Sequence, residues 1–328
     1  MSKIWRRAAF LAASLLAALV GTIPPAAAQE FPAKPIRIVV PYPPGGNVDI
    51  TARTVQAALG EALGQQVLVD NRPGAGGTTG SGQVAKSPPD GYTLLLGSSA
   101  TISTAPAVYR NITYDPLKDL TAIGPIQSTP MVITSALKTP VQSYAEFLAY
   151  VKTKGAPVSI ASPGAGTSNH LALELWMRQT GISLLHVPYK GAGPAITDLL
   201  GGQVETMIDQ LSASIGYIRD GRFKALAVTS RTRSAQLPNV PTLHELGVKD
   251  FEVSTFTGIF GPAGMPAPVV AKLHAALRKA LSVESVRERY RSMGVEVMDM
   301  SQADFAAYVK ADVEKWRLVA RERNIVVE

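Results

Sequence analysis

Two loop sequences in this chain combine the residue types that hold a small anion. Residues 41–49 read PYPPGGNVD, and residues 162–170 read SPGAGTSNH. Each loop follows a short apolar run typical of a buried strand and precedes a helical pattern, and ligands of open parallel sheets lie at such strand ends. A helix start offers unpaired N–H groups and about half a positive charge, and glycine lets an anion approach the backbone. The repeated pattern therefore predicts two loops that bind a carboxylate.

Two acidic residues in or near the predicted strand ends have more than one interpretation. Asp49 could neutralise the first turn of its own helix, an effect worth about 0.3–1 kcal/mol. It could also accept hydrogen bonds from N–H groups of its loop, or face an ammonium group of a ligand. Asp209, directly after the predicted strand 206–208, has the same alternatives.

Motifs for catalysis or for metal binding are poorly represented. The chain has no cysteine, which excludes a cysteine nucleophile and Cys-ligated metal sites, and the nucleophile elbow G-x-S-x-G does not occur. His170 and Glu174 lie four residues apart and could supply two metal ligands, but a third is not evident. For His170, a hydrogen bond at the helix start or to a ligand, a structural role and a metal role stay as alternatives. No catalytic residue, metal site or cofactor is predicted.

A glycine-rich stretch at residues 74–82, GAGGTTGSG, is superficially similar to a phosphate-binding loop. No Gly-Lys-Ser/Thr follows it, and Thr79 stands where the third glycine of G-x-G-x-x-G is required. We interpret this stretch as a tight connection between a strand and a helix.

Composition and charge limit the possible classes of protein. The chain has 328 residues, of which 46% are hydrophobic and 17% are charged, and this predicts about two domains with real cores. After residue 28 there are 29 Lys and Arg residues against 25 Asp and Glu residues, a net charge of +4. The basic residues are scattered and have few aromatic neighbours, so no nucleic-acid partner is expected.

Residues 1–28 have the pattern of a secretory signal peptide. Three basic residues precede a largely apolar run at 8–20, which has twelve apolar residues and Ser14, and three alanines end at Ala28, where cleavage is expected. The apolar run is shorter than the roughly 20 residues of a membrane span. The mature protein is therefore predicted to be exported, with the general secretion route favoured over the twin-arginine route.

Short apolar runs alternate with amphipathic stretches along the rest of the chain, which favours parallel sheets with helices on both faces. The predicted strands are 36–40, 67–69, 93–96, 158–161, 184–187, 206–208 and 225–228. The predicted helices between them are 49–63, 144–154, 168–179 and 194–200.

Two longer extended stretches, 121–135 and 251–262, enclose a middle segment of the chain and do not fit a single α/β layer. They predict two crossings between lobes, with a hinge and a ligand between the lobes. The resulting domains are a first lobe of residues 29–125 and 255–328 and a second lobe of residues 126–254.

The chain after Pro268 is predicted to be wholly helical. Its last segment carries one apolar stripe, which we interpret as core packing, at Phe305, Tyr308, Val309, Val313 and Trp316. Capping boxes predict helix starts at Ser143, Thr242 and Ser301, because each is followed three residues later by an acidic residue.

Five segments in this order resemble the Bug-type (Bordetella uptake gene) family, the periplasmic solute-binding proteins of tripartite tricarboxylate transporters. These segments are YPPGG with Asp49 and Arg53 (42–53), NRPGAGG (71–77), SPGAG with His170 (162–171), HVPYKG (186–191) and LLGG (199–202). The similarity covers almost the whole chain after the predicted signal peptide.

The resemblance implies a periplasmic-binding-protein-like (Venus flytrap) α/β fold, with two α/β lobes joined by two crossing strands and closing on a small carboxylate. It implies a binding protein rather than an enzyme, which works as a monomer and delivers a di- or tricarboxylate to multispanning membrane transporter subunits. The ligand-binding residues that it implies are Tyr42, Pro43, Gly45, Gly46, Val48, Asp49, Ser98, Ser99, Ser162, Gly166, Thr167, Ser168, His170, Tyr189 and Asp209.

The chain departs from the family pattern at Phe256, where Trp is usual, and at Met265, where Thr is usual. Phe256 has a smaller ring without an N–H group, which affects the width of the pocket. Two other functions fit the same sequence: a ligand-presenting partner of a membrane sensor kinase, and a secreted hydrolase or lyase that uses His170 or Asp49.

Overall fold

The short apolar runs form the strands of a mixed sheet in the computed structural model, which describes residues 30–327. Ile36, Ile38 and Val40 of the first strand are fully buried, as expected where both faces of a parallel sheet are covered. The strands of the described residues are β1 (Ile36–Val40), β2 (Val67–Asn71), β3 (Thr93–Ser98), β4 (Leu120–Ala136), β5 (Val158–Ser162), β6 (Leu184–Pro188), β7 (Thr206–Gln210), β8 (Phe223–Val228), β9 (Ser254–Pro262) and β10 (Glu296–Val297).

The strand order is β2-β1-β3-β9-β4-β7-β5-β6, with β8 and β10 also paired to β4. At one end β1, β2 and β3 are parallel, and at the other end β5, β6 and β7 are parallel. The ladders between these groups, β3 with β9, β9 with β4 and β4 with β7, are antiparallel. Two parallel units are therefore joined through antiparallel strands.

The long strand β4 connects the two units. Its residues from Leu120 to Pro130 pair with β9, and its residues from Met131 onward pair with β7 and β8. The return passage lies just before β9, where the N–H group of Val253 donates to the carbonyl of Thr229 at 2.9 Å. Both predicted crossings thus fall in extended chain, while the lobe boundaries at residues 126 and 254 stay a prediction.

Helices follow most strands and cover the sheet. Within the described residues they are α1 (Asn47–Leu63), α2 (Thr78–Ala85), α3 (Ala105–Val108), α4 (Tyr144–Thr153), α5 (Ser168–Thr180), α6 (Ala192–Gly201), α7 (Leu211–Arg219), α8 (Ala267–Leu281), α9 (Glu284–Ser292) and α10 (Gln302–Glu322). Residues 74–77 of the glycine-rich stretch connect β2 to α2 through a short 3₁₀ turn at Ala75–Gly77, as interpreted, whereas residues 78–82 already belong to α2.

The last helix, α10, packs in two hydrophobic cores. Phe305 and Val313 are buried in the first core, which lies around Leu95 and Phe260. Less than one turn after Val313, Trp316 is buried in the second core, together with Trp176, Val319 and Ile325. The predicted apolar stripe is therefore confirmed as core, and it extends further along the helix than predicted. One helix stabilises the cores of both parallel units.

Two local predictions were wrong. The segment after Pro268 is not wholly helical, because Glu296–Val297 forms β10 and pairs with Gln127 and Ser128 of β4. The Thr242–Glu245 capping box forms both of its hydrogen bonds, at 2.9 and 3.0 Å, but no helix follows it. The chain reverses at once at Gly247, so that the next residues return to the second core.

The residues from Lys34 onward form one compact unit. The predicted signal peptide, residues 1–28, lies outside the described residues. In the range 30–327, no helix is long and apolar enough to cross a bilayer.

Candidate ligand-binding site

A cavity of about 490 Å³ lies between the end of β1, the end of β3, the middle of β4, the start of β9 and the start of α5. Its lining residues are Tyr42, Pro43, Pro44, Gly46, Asn47, Val48, Ser98, Ser99, Ala100, Gln127, Ser168, Gln210, Thr255, Phe256 and Thr257. None of these side chains carries a formal charge. The polarity of the cavity therefore comes from hydroxyl, amide and backbone groups.

The first loop, residues 41–49, supplies six of these lining residues. Gly45 has a left-handed backbone, with φ of +85°, and the extended Gly46 precedes the first turn of α1 without a side-chain cap. The first N–H groups of α1 therefore have no partner within the helix. The phenol of Tyr42 shares a hydrogen bond of 3.0 Å with Ser98, and burial raises the pKa of Tyr42 to about 12.

Asp49 is buried beneath the first loop and does not line the cavity. Its carboxylate accepts hydrogen bonds of 2.9 Å each from the Gly45 N–H group, the Arg53 guanidinium and the Asn71 amide. Burial opposes ionisation of this carboxyl, but the bonds from Arg53, Gly45 and Asn71 outweigh it and lower the pKa of Asp49 to about 2. Asp49 is an ionised group that fixes the shape of the first loop.

The second loop, residues 162–170, brings the start of α5 to the same cavity. The hydroxyl of Thr167 accepts from the N–H group of His170 at 3.3 Å and caps the helix. The left-handed Gly166 donates its N–H group to Nδ1 of His170 at 3.0 Å. Ser168, in the first turn of α5, lines the cavity.

Two histidines near this loop contact each other. The rings of His170 and His186 stack with centroids 4.3 Å apart, and Nε2 of His186 lies 2.7 Å from the Ser162 hydroxyl. Burial, with His170 next to it, lowers the pKa of His186 to about 4. His170 and Arg323 hold the pKa of Glu174 below its ordinary value in spite of burial.

The two central strands supply the floor of the cavity. Gln127 is almost fully buried. Its side-chain oxygen Oε1 accepts from the Thr129 hydroxyl at 3.0 Å, which leaves the side-chain NH₂ group for the cavity. The Thr257 hydroxyl is buried without a hydrogen-bond partner among the described residues. Ser99 accepts from the N–H group of Phe256 at 2.8 Å. A ligand with acceptor oxygens would satisfy the groups on Gln127 and Thr257.

Asp209 lies next to the cavity residue Gln210. Its Oδ1 atom accepts from the Gln210 N–H group at 2.7 Å, whereas Oδ2 has no partner within the described part of the chain. Burial raises the pKa of Asp209 to about 7 in spite of the Gln210 bond. A protonated Asp209 leaves the end of β7 without a negative charge that would repel an anion.

The structure brings seven of the fifteen predicted site residues to the lining of the cavity. These are Tyr42, Pro43, Gly46, Val48, Ser98, Ser99 and Ser168. The other eight are placed outside the lining: Gly45, Asp49, Ser162, Gly166, Thr167, His170, Tyr189 and Asp209. The Tyr189 hydroxyl donates to Asp198 at 2.6 Å, and most of the others hold the loops. Ligand contact itself stays a prediction for all fifteen residues.

Sequence reasoning missed most of the cavity floor. The missed lining residues are Pro44, Asn47, Ala100, Gln127, Gln210, Thr255, Phe256 and Thr257, although Phe256 was noted as a departure from the family pattern. A signal for Gln127 was present, since it is the one large amide of β4 and stands two residues after Pro125. The pairing of β4 with β9 shifts register between Pro125 and Gln127, and such irregularities re-aim side chains near functional sites.

The described residues contain no arrangement of three or more His, Cys, Asp and Glu side chains that could hold a metal ion. The candidate pair of metal ligands, His170 and Glu174, lies 3.7 Å apart, and Glu174 instead accepts from Arg323 at 2.6 Å.

Comparison with known proteins identifies the family. Residues 51–325 match the model of the tripartite tricarboxylate transporter family receptor, TctC. The chain belongs to the TctC family. The chain is 35% identical over 306 residues to protein BugT of Bordetella pertussis, and the match covers 93% of the chain and 94% of BugT.

Solved structures agree with this assignment. The periplasmic binding protein BugD is 38% identical, with a TM-score of 0.75 over 91% of this chain and 100% of BugD. MatC of Rhodopseudomonas palustris with bound malate is 33% identical, with a TM-score of 0.74 and coverage of 88% and 99%. R. palustris Rpa4515 with adipate is also 33% identical, with a TM-score of 0.78 and coverage of 90% and 99%. The predicted two-lobed periplasmic-binding-protein fold and the Bug-type resemblance are confirmed.

Proposed function

We propose that this TctC receptor captures a small organic di- or tricarboxylate in the cavity and presents it to a tripartite tricarboxylate-type transporter. The observation that carries the proposal is the charge-free cavity of about 490 Å³ that receives the starts of two helices, α1 and α5. Helix starts favour negative charge, and no ionised side chain of the lining competes for their N–H groups.

The neutral donors of the cavity are sufficient for useful affinity. Hydrogen bonds to a charged partner are worth about 1.5–3 kcal/mol each. Three or four of them, from the first turns of α1 and α5 and from groups such as Gln127 and Thr257, would support micromolar binding, which needs about 8 kcal/mol. An acid held without a buried ion pair can also be released when the lobes separate, as transport requires.

Two solved relatives indicate the class of acid to test first. MatC was solved with malate and Rpa4515 with adipate, and both ligands are short-chain dicarboxylates. We propose the same class for this chain. Both relatives are about 33% identical to this chain, and Phe256 stands at the cavity where Trp is usual in the family. The proposal therefore names dicarboxylates as a class and not one particular acid.

The proposal includes the cellular setting. The protein would be exported by the predicted signal peptide, act in the periplasm as a monomer, and meet one large and one small multispanning transporter subunit. The acid would leave unchanged, since no catalytic constellation is predicted.

Thermal-shift and calorimetric titrations of the mature protein test the proposal. Malate and adipate are the first probes, and dimethyl adipate and adipamide are controls of similar length without charge. A bound acid at a hundredfold its dissociation constant adds about 2.7 kcal/mol of stability, so a clear rise in melting temperature is expected with the acids alone. Equal shifts with the neutral controls, no shift with any acid of a wider carboxylate panel, or turnover of a carboxylate ester would contradict the proposal.

A further inference from the structure

The two loops share one local hydrogen-bond pattern. In the first loop the N–H group of the left-handed Gly45 donates to the side chain of Asp49, four residues later, at 2.9 Å. In the second loop the left-handed Gly166 donates to His170, again four residues later, at 3.0 Å. In each case the accepting side chain stands in the first turn of the helix whose start faces the cavity.

The further partners of Asp49 and of His170 also correspond between the two loops. Asp49 is bonded to Arg53 one turn along α1, and Arg53 in turn contacts Asn71 of β2 at 3.1 Å. His170 faces Glu174 one turn along α5 at 3.7 Å, and Glu174 accepts from Arg323 at 2.6 Å. The outer partner of the second loop therefore comes from the carboxyl-terminal end of α10.

The contacts of His170 define its proton arrangement. An Nδ1 atom that accepts from a backbone N–H group carries no proton, so the neutral ring has its proton on Nε2. The side of the ring with Nε2 faces Glu174, and the ring face stacks on His186. No polar atom of His170 is left to contact a ligand, and His170 does not line the cavity.

The carboxyl-terminal residues also touch the loop directly. The N–H group of Val327 donates to the carbonyl of Val108 at 2.9 Å, and a methyl group at Gly166 would lie 2.5 Å from Val327. The left-handed turn at Gly166 thus packs against Val327 and Val108 and is bonded to the His170 ring.

We propose that His170 is a positioning residue of the ligand site. Through its Nδ1 acceptor it holds Gly166 in the turn that presents Ser168 to the cavity, and Arg323 orients it through Glu174. This inference deepens the proposed function and rests on it for its binding readouts. It assigns to the carboxyl-terminal end of the chain a part in the site.

Paired substitutions at His170 test the acceptor role. Asp49 shows that a side chain of that length reaches the glycine N–H group, so His170→Asn keeps an acceptor oxygen. His170→Phe keeps an aromatic ring against His186 but has no acceptor. Loss of one hydrogen bond predicts about tenfold weaker binding of adipate or malate by the Phe variant, with most of the affinity kept by the Asn variant. Equal affinities of the two variants would overturn the proposal.

The ion pairs between α5 and α10 offer a matched control. Arg323–Glu174 at 2.6 Å and Arg178–Glu322 at 2.8 Å join the same helices, and both arginines are partly exposed. Arg323→Gln should weaken dicarboxylate binding severalfold, whereas Arg178→Gln should leave it unchanged. Equal losses of affinity in both variants would contradict the proposal, because α10 would then act only by general packing.

Nitrogen-15 NMR of the imidazoles gives a readout that needs no ligand. Wild type should show His170 with its proton on Nε2, and Arg323→Gln should reduce that preference while Arg178→Gln preserves it. A proton on Nδ1 in wild type would refute the inference. If no carboxylate binds wild type but the tautomer behaves as stated, the proposed function fails and the positioning role survives.

Discussion

The first and second loops have the same backbone geometry but are held by different chemistry. Asp49 fixes the first loop as an ionised carboxylate with three donors. His170 fixes the second loop through its ring atom Nδ1, beside a second histidine and at the end of a chain of contacts to Arg323. Equal geometry therefore does not imply an equal response to pH or to mutation.

The loops also differ in how much of the cavity they build. The first loop contributes six lining residues, and the second contributes Ser168 alone. We infer that the first loop sets most of the shape of the site, while the second loop supplies one helix start from the opposite side. Substitutions in the two loops should separate these contributions.

The largest effect is expected from removing both loop contributions together. In the double variant Gly46→Val, Ser168→Ala, a branched side chain covers the start of α1 and the hydroxyl on α5 is lost. Dicarboxylate affinity should fall more than a hundredfold, equivalent to the loss of about two charged hydrogen bonds. The fold should survive, because the nearest atom to a Cβ at Gly46 is 3.8 Å away. Gly193→Val, on α6, is the control, and calorimetry showing undiminished affinity would refute the prediction.

The next effect concerns the ionic anchor of the first loop. Asp49→Ala removes the acceptor of Gly45 and should weaken binding about tenfold, with about 2 kcal/mol lost from the free energy of unfolding. Because the pKa of Asp49 is about 2, its contribution should be constant above about pH 4 and decline as the pH falls toward 2. Asp304→Ala, at another helix start, is the control. Unchanged affinity in Asp49→Ala would show that the loop holds its shape without this anchor.

The region around the second loop should be sensitive to acid through His186. Its pKa of about 4 lies below the ordinary value of about 6.5, so the unfolded chain takes up the proton first as the pH falls. The contribution of His186 to stability is therefore complete above pH 6.5 and is lost toward pH 4, on the order of 2 kcal/mol. Denaturant unfolding should show wild type losing this much relative to His186→Gln. A difference in unfolding free energy between the two proteins that does not change with pH would contradict the lowered pKa of His186.

Asp209 should give the opposite slope. Its folded pKa of about 7 is above the unfolded value, so its ionisation cost destabilises the fold as the pH rises from about 4 to 7. Asp209→Asn should therefore be more stable than wild type at pH 8, by about 1–3 kcal/mol, the usual cost of a buried unsatisfied polar group. The gain should vanish near pH 4, and a gain of equal size at both pH values would point to packing instead.

No effect is expected from chelators. Neither loop contains a set of metal ligands, and ethylenediaminetetraacetate should leave calorimetric titrations of adipate or malate unchanged. Restoration of lost binding by a divalent cation after such treatment would show that a metal takes part.

The secondary structure was largely predictable because strand and helix signals are local. The strand Ile36–Val40 and the helix start at Ser168 agree with their predicted positions. The helices α2 and α7 were not predicted, since Thr78–Ala85 is rich in glycine and Leu211–Arg219 begins directly at the end of β7. In both cases packing against the sheet outweighs weak local propensity.

The candidate site was predictable only in its loops. Repeated glycine and cap patterns revealed both loops, and Asp49 accepting from a loop N–H group was among the stated alternatives. The floor depends on the register of β4 with β9, which pairs Gln127 with Thr257, two residues far apart in sequence. No local pattern encodes that pairing, and the roles of Arg323 and Val327 depend likewise on where α10 ends.

The position of Val327 against Gly166 matters for anyone who builds a biosensor from this scaffold. A fluorescent reporter inserted directly after Val327 would push on the Gly166 turn beside the cavity, and its signal would mix ligand occupancy with damage to the site. A dye attached to the exposed face of α8, for instance at Lys279, would leave that turn undisturbed.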